Sequence, residues 1–268
     1  MKDAQDLIKI NERQKEFYNS KKKNRVTKLW YGLRNGILQD AKKRLSLEKQ
    51  IKELHITWFG DLSNKKVLDL GCYAGNSLSV HLAMNSKEYI AIDLSELGIS
   101  KLSKKLDDIP NARAYVMDFF SDDFKEDGFD LIYAFGVLHH FQDTELLINR
   151  LKQKLNQNGE IISYDPLKTS FPVKLARYLY RPFQTDKDWE WPFSKKTYRI
   201  YEREFQILDR RAMLGRTKYF FFLNLLPLSA KRRSNILKKW HILDWQRSKV
   251  EDKKMFDCMH LTLFMQKI

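Results

Sequence analysis

Lys66-Val67-Leu68-Asp69-Leu70-Gly71-Cys72-Tyr73-Ala74-Gly75 decides how the rest of the chain is read. Val67, Leu68 and Leu70 form a short apolar run of the kind a buried strand carries. The run stops at Gly71, a second glycine follows at Gly75, and Leu78, Val80, Leu82 and Ala83 read as the start of a helix. A strand, a glycine turn and a helix in this order aim backbone N–H groups at a ligand near the helix N-terminus. Glycine is needed because a Cβ would block that approach or forbid the turn.

Downstream, strand and helix patterns alternate. Residues 88–93 read as a second strand ending in Asp93, and Ser95 caps a helix carrying Leu97, Ile99, Leu102 and Leu106. Pro110 and Asn111 break that helix. Residues 112–117 read as a third strand ending at Asp118, and residues 129–134 as a fourth introduced by Gly128. Leu146, Leu147, Leu151 and Leu155 mark a helix that Asn158-Gly159 ends, and residues 160–164 read as a fifth strand. Such alternation specifies an α/β fold, a doubly wound and mostly parallel sheet with helices on both faces. Residues 205–214 and 260–268 supply two more strands, for seven in all.

The flanks are less regular. Residues 4–19 read as a helix, Lys21-Lys22-Lys23 as an exposed connection, and residues 27–54 as a helix weakened by Gly32 and Gly36. The expected organisation is an N-terminal helical lid over residues 1–60, a Rossmann-like core over 61–165, and substrate-side insertions with the last two strands over 166–268. One insertion, residues 166–194, is rich in proline and aromatics. The other, residues 216–253, joins the run Tyr219–Leu228 to a basic helix around Lys231–Trp240.

The pattern Asp69-x-Gly71-x-x-x-Gly75 departs from the G-x-G-x-x-G of dinucleotide dehydrogenases. With Asp93, Asp118 and Ala134-Phe135-Gly136-Val137-Leu138-His139-His140-Phe141, it resembles the class I S-adenosylmethionine (SAM) dependent methyltransferases. Within that family it is closest to members that methylate small molecules. The resemblance covers residues 66–165 well and the rest poorly. It implies SAM as cofactor, with Asp93 on the ribose hydroxyls and Leu94 on the adenine. Asp118 would take the adenine amino group, the Phe119 backbone a ring nitrogen, and Ala134 and Phe135 the methionine part. Asp69 would order the turn formed by Gly71, Cys72 and Gly75, with Cys72 contributing its backbone. In this family a helical lid of this kind contacts the ligand through aromatics or an arginine, which makes Tyr18, Trp30 and Arg34 candidates here, with plain packing as the alternative. His140 is a candidate general base or a residue that shapes its loop. Tyr164 is a candidate for positioning or deprotonating the acceptor, or an aromatic wall. No metal is expected, because the adjacent His139 and His140 diverge and no partner ligand is evident. The reaction would be direct displacement at the sulfonium methyl carbon, where alignment does most of the catalysis.

Composition narrows the rest. The two cysteines, Cys72 and Cys258, form no metal or disulfide spacing, which fits a reducing cytoplasm. The charged N-terminus is no signal peptide, and no apolar run is long enough to span a bilayer. Residues 1–60 hold 15 basic against 7 acidic residues, residues 61–165 hold 11 against 17, and residues 166–268 hold 23 against 10. The net charge of +15 therefore sits on the flanks. It suits an anionic partner, whether a phosphate-bearing small molecule, an anionic membrane surface or a nucleic acid, and equally a solvated basic face. Trp189 and Trp191 are expected to wall the acceptor pocket. An RNA methyltransferase using the basic flanks is the alternative, weakened by the lack of a recognisable RNA-binding module. A non-catalytic SAM-binding protein is a further one.

Overall fold

The computed structural model describes residues 4–20, 24–185 and 187–268, and leaves aside the side chains of residues 4–9, 26, 30, 31, 33–35 and 37. Trp30, Arg34 and the Lys21–Lys23 run therefore lie outside the description. Three helices lead: α1 (Ala4–Ser20), α2 (Arg25–Arg44) and α3 (Leu47–Phe59). The core follows as β1 (Lys66–Leu70), α4 (Ser77–Asn85), β2 (Glu88–Asp93), α5 (Glu96–Leu106), β3 (Ala112–Val116), β4 (Phe129–Phe135), α6 (Thr144–Lys154) and β5 (Leu155–Pro166). Then come α7 (Phe171–Tyr180), α8 (Lys195–Glu204), β6 (Phe205–Met213), α9 (Phe220–Leu223), α10 (Ala230–Val250), α11 (Asp252–Phe256) and β7 (His260–Lys267).

The seven strands form one sheet in the order β3-β2-β1-β4-β5-β7-β6. Pairing is parallel from β3 to β5, and β7 runs antiparallel to both β5 and β6. The strand order reverses between β1 and β4, which opens a crevice at the carboxyl ends of the strands. Both sheet faces are covered. Leu68, Leu70, Ile90, Ile132 and Ile161 pack on one side, and Val67, Tyr89, Ala91, Leu131 and Tyr133 on the other. Strands buried on both faces carry continuous apolar runs, which is why β1, β2 and β4 were legible.

Two boundaries differ from the sequence reading. The helix expected over residues 27–54 is two helices, broken at Leu45 and at Ser46, whose φ is +49°. Gly32 and Gly36 are accommodated within α2. The break lets Leu38, Leu45, Leu47 and Ile51 converge on Met213 and Leu214. The apolar spacing continues across it, so periodicity does not reveal the turn. Asn158-Gly159 does not end a helix either: α6 stops at Lys154 and the pair lies inside β5. Asn158 has φ +64°, and the β4–β5 register slips between Phe129 and Leu131 to absorb the extra residues as a bulge.

Candidate active site

A cleft of about 430 Å³ opens where the strands end, within the usual range for a small-molecule site. Leu70 and Gly71 line it after β1, Ile92, Asp93 and Leu94 after β2, and Met117, Asp118 and Phe119 after β3. Phe135, Gly136 and Val137 follow from β4, with His140 and Phe141 beyond them. The opposite wall is α1, through Asn11, Gln14, Phe17 and Tyr18.

The floor is held by hydrogen bonds that leave its carboxylates capacity to spare. Asp93 accepts the Tyr73 N–H at 2.9 Å on one oxygen and the Ser95 N–H at 2.8 Å on the other. A carboxylate oxygen has two lone pairs, so each keeps one for a ligand hydroxyl. Burial pushes the Asp93 carboxyl up from its ordinary value while these two N–H groups pull it down. Asp118 accepts the Phe120 N–H at 2.9 Å, and its other oxygen meets the Asn11 side-chain amide at 2.5 Å. Gly71 has φ +65°, and a Cβ there would stand 2.3 Å from a Val137 methyl. Only glycine lets the β1 turn and the β4 loop approach this closely. Gly136, with φ +76°, has nothing within 4 Å of the place a Cβ would occupy. Two carboxylates at neighbouring strand ends, apolar Leu94, Met117 and Phe141 beside them, and this open glycine backbone fit a nucleoside with a chain extending toward β4.

Asp69 stands behind the turn, outside the cleft lining. It is buried and accepts the Tyr89 hydroxyl at 2.7 Å, and burial pushes its carboxyl up to about 6. The N–H groups of Gly71 and Cys72 are both spent on the Ile92 carbonyl, at 2.8 and 3.2 Å, and burial raises the Cys72 thiol well above its ordinary value. Gly75 packs on Leu102 and Ser79, and Ala134 is buried in the sheet. None of Asp69, Cys72, Gly75 and Ala134 lines the cleft.

Three expected substrate-side residues, Tyr164, Trp189 and Trp191, also fall outside the cleft lining. Tyr164 is stacked between Phe135, at 4.6 Å between ring centres, and His260, at 5.3 Å. Burial drives its phenol further up, which disfavours deprotonation chemistry and leaves an aromatic wall. Trp189 is buried and packs on Phe17 of α1 at 5.6 Å, and its indole N–H has no hydrogen-bond partner among the described residues. Trp191 donates its backbone N–H to the His139 carbonyl at 2.7 Å. Trp189 and Trp191 thus brace the loop after β4 through backbone contacts to His140 and His139, and neither is among the residues lining the cleft.

That loop holds a pair of histidines with different tasks. His139 is buried, with Nδ1 at 2.8 Å from Asp165 Oδ1, which also accepts the His139 backbone N–H at 3.1 Å. Burial pushes the Asp165 carboxyl up to about 7, and its second oxygen has no hydrogen-bond partner among the described residues. His140 lines the cleft. Its Nδ1 lies 2.7 Å from the Trp189 carbonyl, and its Nε2 lies 3.1 Å from the Tyr18 hydroxyl. A carbonyl can only accept, so Nδ1 carries a proton, and in the neutral ring it is Nε2 that presents its lone pair.

The sequence reading did not foresee the other α1 contacts. Asn11, Gln14 and Tyr18 recur at i, i+3 and i+7, one face of a helix. The face is polar, so a search for apolar periodicity passed over it.

A sheet in this order, with a cleft built from the ends of β1, β2 and β3 and a glycine turn after β1, is the Rossmann-like arrangement that binds a nucleoside-bearing cofactor. The methyltransferase domain family model matches residues 37–213, and the chain belongs to that family, whose cofactor is SAM. Among curated proteins the chain is similar to the tRNA U34 carboxymethyltransferase of Nautilia profundicola. The two are 31% identical over 129 residues, which is 48% of this chain and 42% of that protein. It is also similar to the probable thiol methyltransferase 2 of Arabidopsis thaliana, 28% identical over 115 residues, 41% of this chain and 50% of that protein. The chain thus matches half or less of the length of these relatives. Among solved structures it shares its fold with the N-methyltransferase NodS of Bradyrhizobium japonicum in complex with S-adenosylhomocysteine. The TM-score is 0.53 at 13% identity, covering 86% of this chain and 98% of that one. It also shares the fold of the geranyl diphosphate C-methyltransferase of Streptomyces coelicolor, with a TM-score of 0.56 at 10% identity, over 83% and 80% of the two chains.

Proposed function

We propose that the chain transfers a methyl group from SAM to a small or amphipathic, anionic acceptor that meets the cofactor beside His140. The observation that carries the reading is the fixed orientation of His140, whose Nδ1–H is committed to the Trp189 carbonyl and whose Nε2 is turned to the cleft. SAM would supply an electrophilic methyl carbon on a cationic sulfur. Asp93 would bind the ribose hydroxyls with its spare lone pairs, Asp118 the adenine amino group, and the backbone at Phe135 and Gly136 the methionine portion. Leu94 and Phe119 would wall the adenine, Phe119 also offering its backbone. Asp69, Cys72, Gly75 and Ala134 would act through the backbone they hold.

An acceptor hydroxyl bonded at Nε2 in place of Tyr18 would lose its proton there as the new bond to carbon forms. The Asp165–His139 pair holds the loop by its backbone and so sets where His140 stands. The two free cysteines suit a cytoplasmic setting.

RNA is the second reading. It is favoured by the basic flanks and by relatives named as tRNA carboxymethyltransferases. One experiment separates the two. The protein is incubated with methyl-labelled SAM and a cell extract, which is then divided into RNA, lipid and water-soluble small molecules. We expect label in the lipid or small-molecule fraction that depends on His140. Nuclease-sensitive label in RNA would replace the first reading by the second.

A further inference from the structure

The insertion after β5 exposes apolar surface that nothing in the proposed reaction uses. Phe171, Leu175, Tyr178 and Leu179 of α7 fall at i, i+4, i+7 and i+8, one stripe of the helix. Phe171 is 77% exposed, Tyr178 78% and Leu179 63%. Phe183 just beyond the helix is exposed as well. The other face of the helix is anchored: the Tyr180 hydroxyl donates to Thr27 of α2 at 2.9 Å. A second exposed group follows α9, formed by Phe222, Leu225 and Leu226, with Leu225 78% exposed. α2 ties the two together. Thr27 near its start meets Tyr180, and Ala41 near its end packs with Phe220, Leu223 and Leu237. Fourteen residues of helix separate these contacts by about 21 Å. Exposed Leu29 lies on the same helix.

Charge identifies the occupant. Residues 166–185 contain Lys168, Lys174, Arg177 and Arg181 and no aspartate or glutamate, though Arg177 lies 3.9 Å from Glu190 in the loop that follows. Residues 210–243 contain nine lysines and arginines and again no acid; Arg210 and Arg211 pair with Asp252 and Asp209 and Lys218 is buried, which leaves Arg216, Lys231, Arg232, Lys238 and Lys239 as exposed cations. A second copy of the chain would set one cationic surface against another. A nucleic acid would answer the cations and leave the phenylalanine, tyrosine and leucine side chains in water. A bilayer with anionic headgroups answers both, because it offers hydrocarbon beneath a layer of negative charge. No described helix is long and apolar enough to cross a membrane, so the contact is peripheral.

We propose that the α7 stripe and the group after α9 dock the protein on an anionic lipid surface, with Phe171, Leu175, Tyr178 and Leu225 as the inserted side chains. The proposal goes beyond the transfer reaction and does not depend on the acceptor, since its readout is binding to lipid. The full-length protein is sedimented with vesicles of phosphatidylcholine alone, and with vesicles holding about 30% phosphatidylglycerol, to supply surface charge. Partition into the anionic vesicles is expected, with little into the neutral ones. The variant Phe171→Ser/Leu175→Ser/Tyr178→Ser should lower partition by about tenfold or more, because the apolar insertion is lost while the cations remain. These side chains are exposed, so the variant's thermal melt and SAM binding should match the parent. Lys231→Glu/Arg232→Glu, changed at a separate exposed site, should weaken binding to anionic vesicles while leaving the fold intact. Three results would overturn the proposal. One is failure of the parent protein to sediment with anionic vesicles. Another is equal partition of parent and triple-serine variant. The third is sedimentation equilibrium showing a dimer that the serine variant converts to monomer, which would give the surface to a second copy.

Discussion

The floor and the roof of the cleft are built by different means. The floor is the end of a buried parallel sheet, where Asp93 and Gly71 are fixed by backbone hydrogen bonds and by the apolar strands beneath. The roof is α1, held to the floor by polar side-chain contacts. Asn11 reaches Asp118, Tyr18 reaches His140, and Asn19 accepts the Ser95 hydroxyl at 2.7 Å and the Leu97 N–H at 3.3 Å. An exposed ion pair, Lys15–Glu96, adds little. Apolar burial resists rearrangement, whereas a few exchangeable hydrogen bonds can be traded for bonds to a ligand at small cost. The floor is therefore assigned cofactor affinity, and the roof access and completion of the site.

Four measurements would break or sharpen that division. The largest effect is expected from His140→Ala, at the seam of the two walls. It should lower transfer by about 10²–10⁴-fold for an acceptor that must lose a proton, with SAM affinity by calorimetry nearly unchanged. Full transfer activity would leave His140 as a shaper of its loop.

Next comes Asp69→Asn, which probes the floor through pH. The folded-state value of about 6 lies above the ordinary 3.8. A raised carboxyl contributes stability that is fully present below the unfolded value and is lost as pH rises through about 6. The difference corresponds to about 3 kcal/mol. The parent protein should lose melting temperature between about pH 4 and about pH 6.5 relative to the variant, and parallel melting curves across that range would remove Asp69 from the account.

Asp93→Ala should cost about 2 kcal/mol of SAM binding, roughly 30-fold, since it removes a partner of ribose hydroxyls. Unchanged affinity would put the ribose elsewhere. The smallest effect belongs to the roof. Asn11→Ala should change SAM affinity by no more than about 1 kcal/mol, because it frees an Asp118 oxygen as it removes a wall contact. Its signature should be faster SAM dissociation in stopped-flow measurements. A loss as large as that of Asp93→Ala would erase the distinction between floor and roof.

The same division explains what could be read without coordinates. β1, β2 and β4 announce themselves as apolar runs, and of the acids and glycines singled out at strand ends Gly71, Asp93 and Asp118 line the cleft while Asp69 and Gly75 do not. α1 packs its ligand-facing side through asparagine, glutamine and tyrosine, so its position over the cleft leaves no apolar signature. The tryptophans stand outside the cleft lining for a related reason. Pro-braced aromatics read as a pocket wall, yet Trp189 spends its ring on Phe17 and its carbonyl on His140. Which side of a loop an aromatic faces depends on contacts between distant segments, and composition carries none of that. The break at Ser46 belongs to the same class, since tertiary convergence on Met213 and Leu214 decides it.

The place of β7 between β5 and β6 has a consequence for how the chain is made. β6 pairs with β7 alone, over eight registered residue pairs from Phe205–Lys267 to Met213–His260. During synthesis β1 to β5 can assemble as each emerges, because every one finds its neighbour among residues already made. β6 cannot, and residues 205–259 must wait beside an unfinished sheet whose β5 edge stays open. A ribosome that stalled before His260 would hold a sheet with that edge exposed, ready to take a strand from another nascent chain.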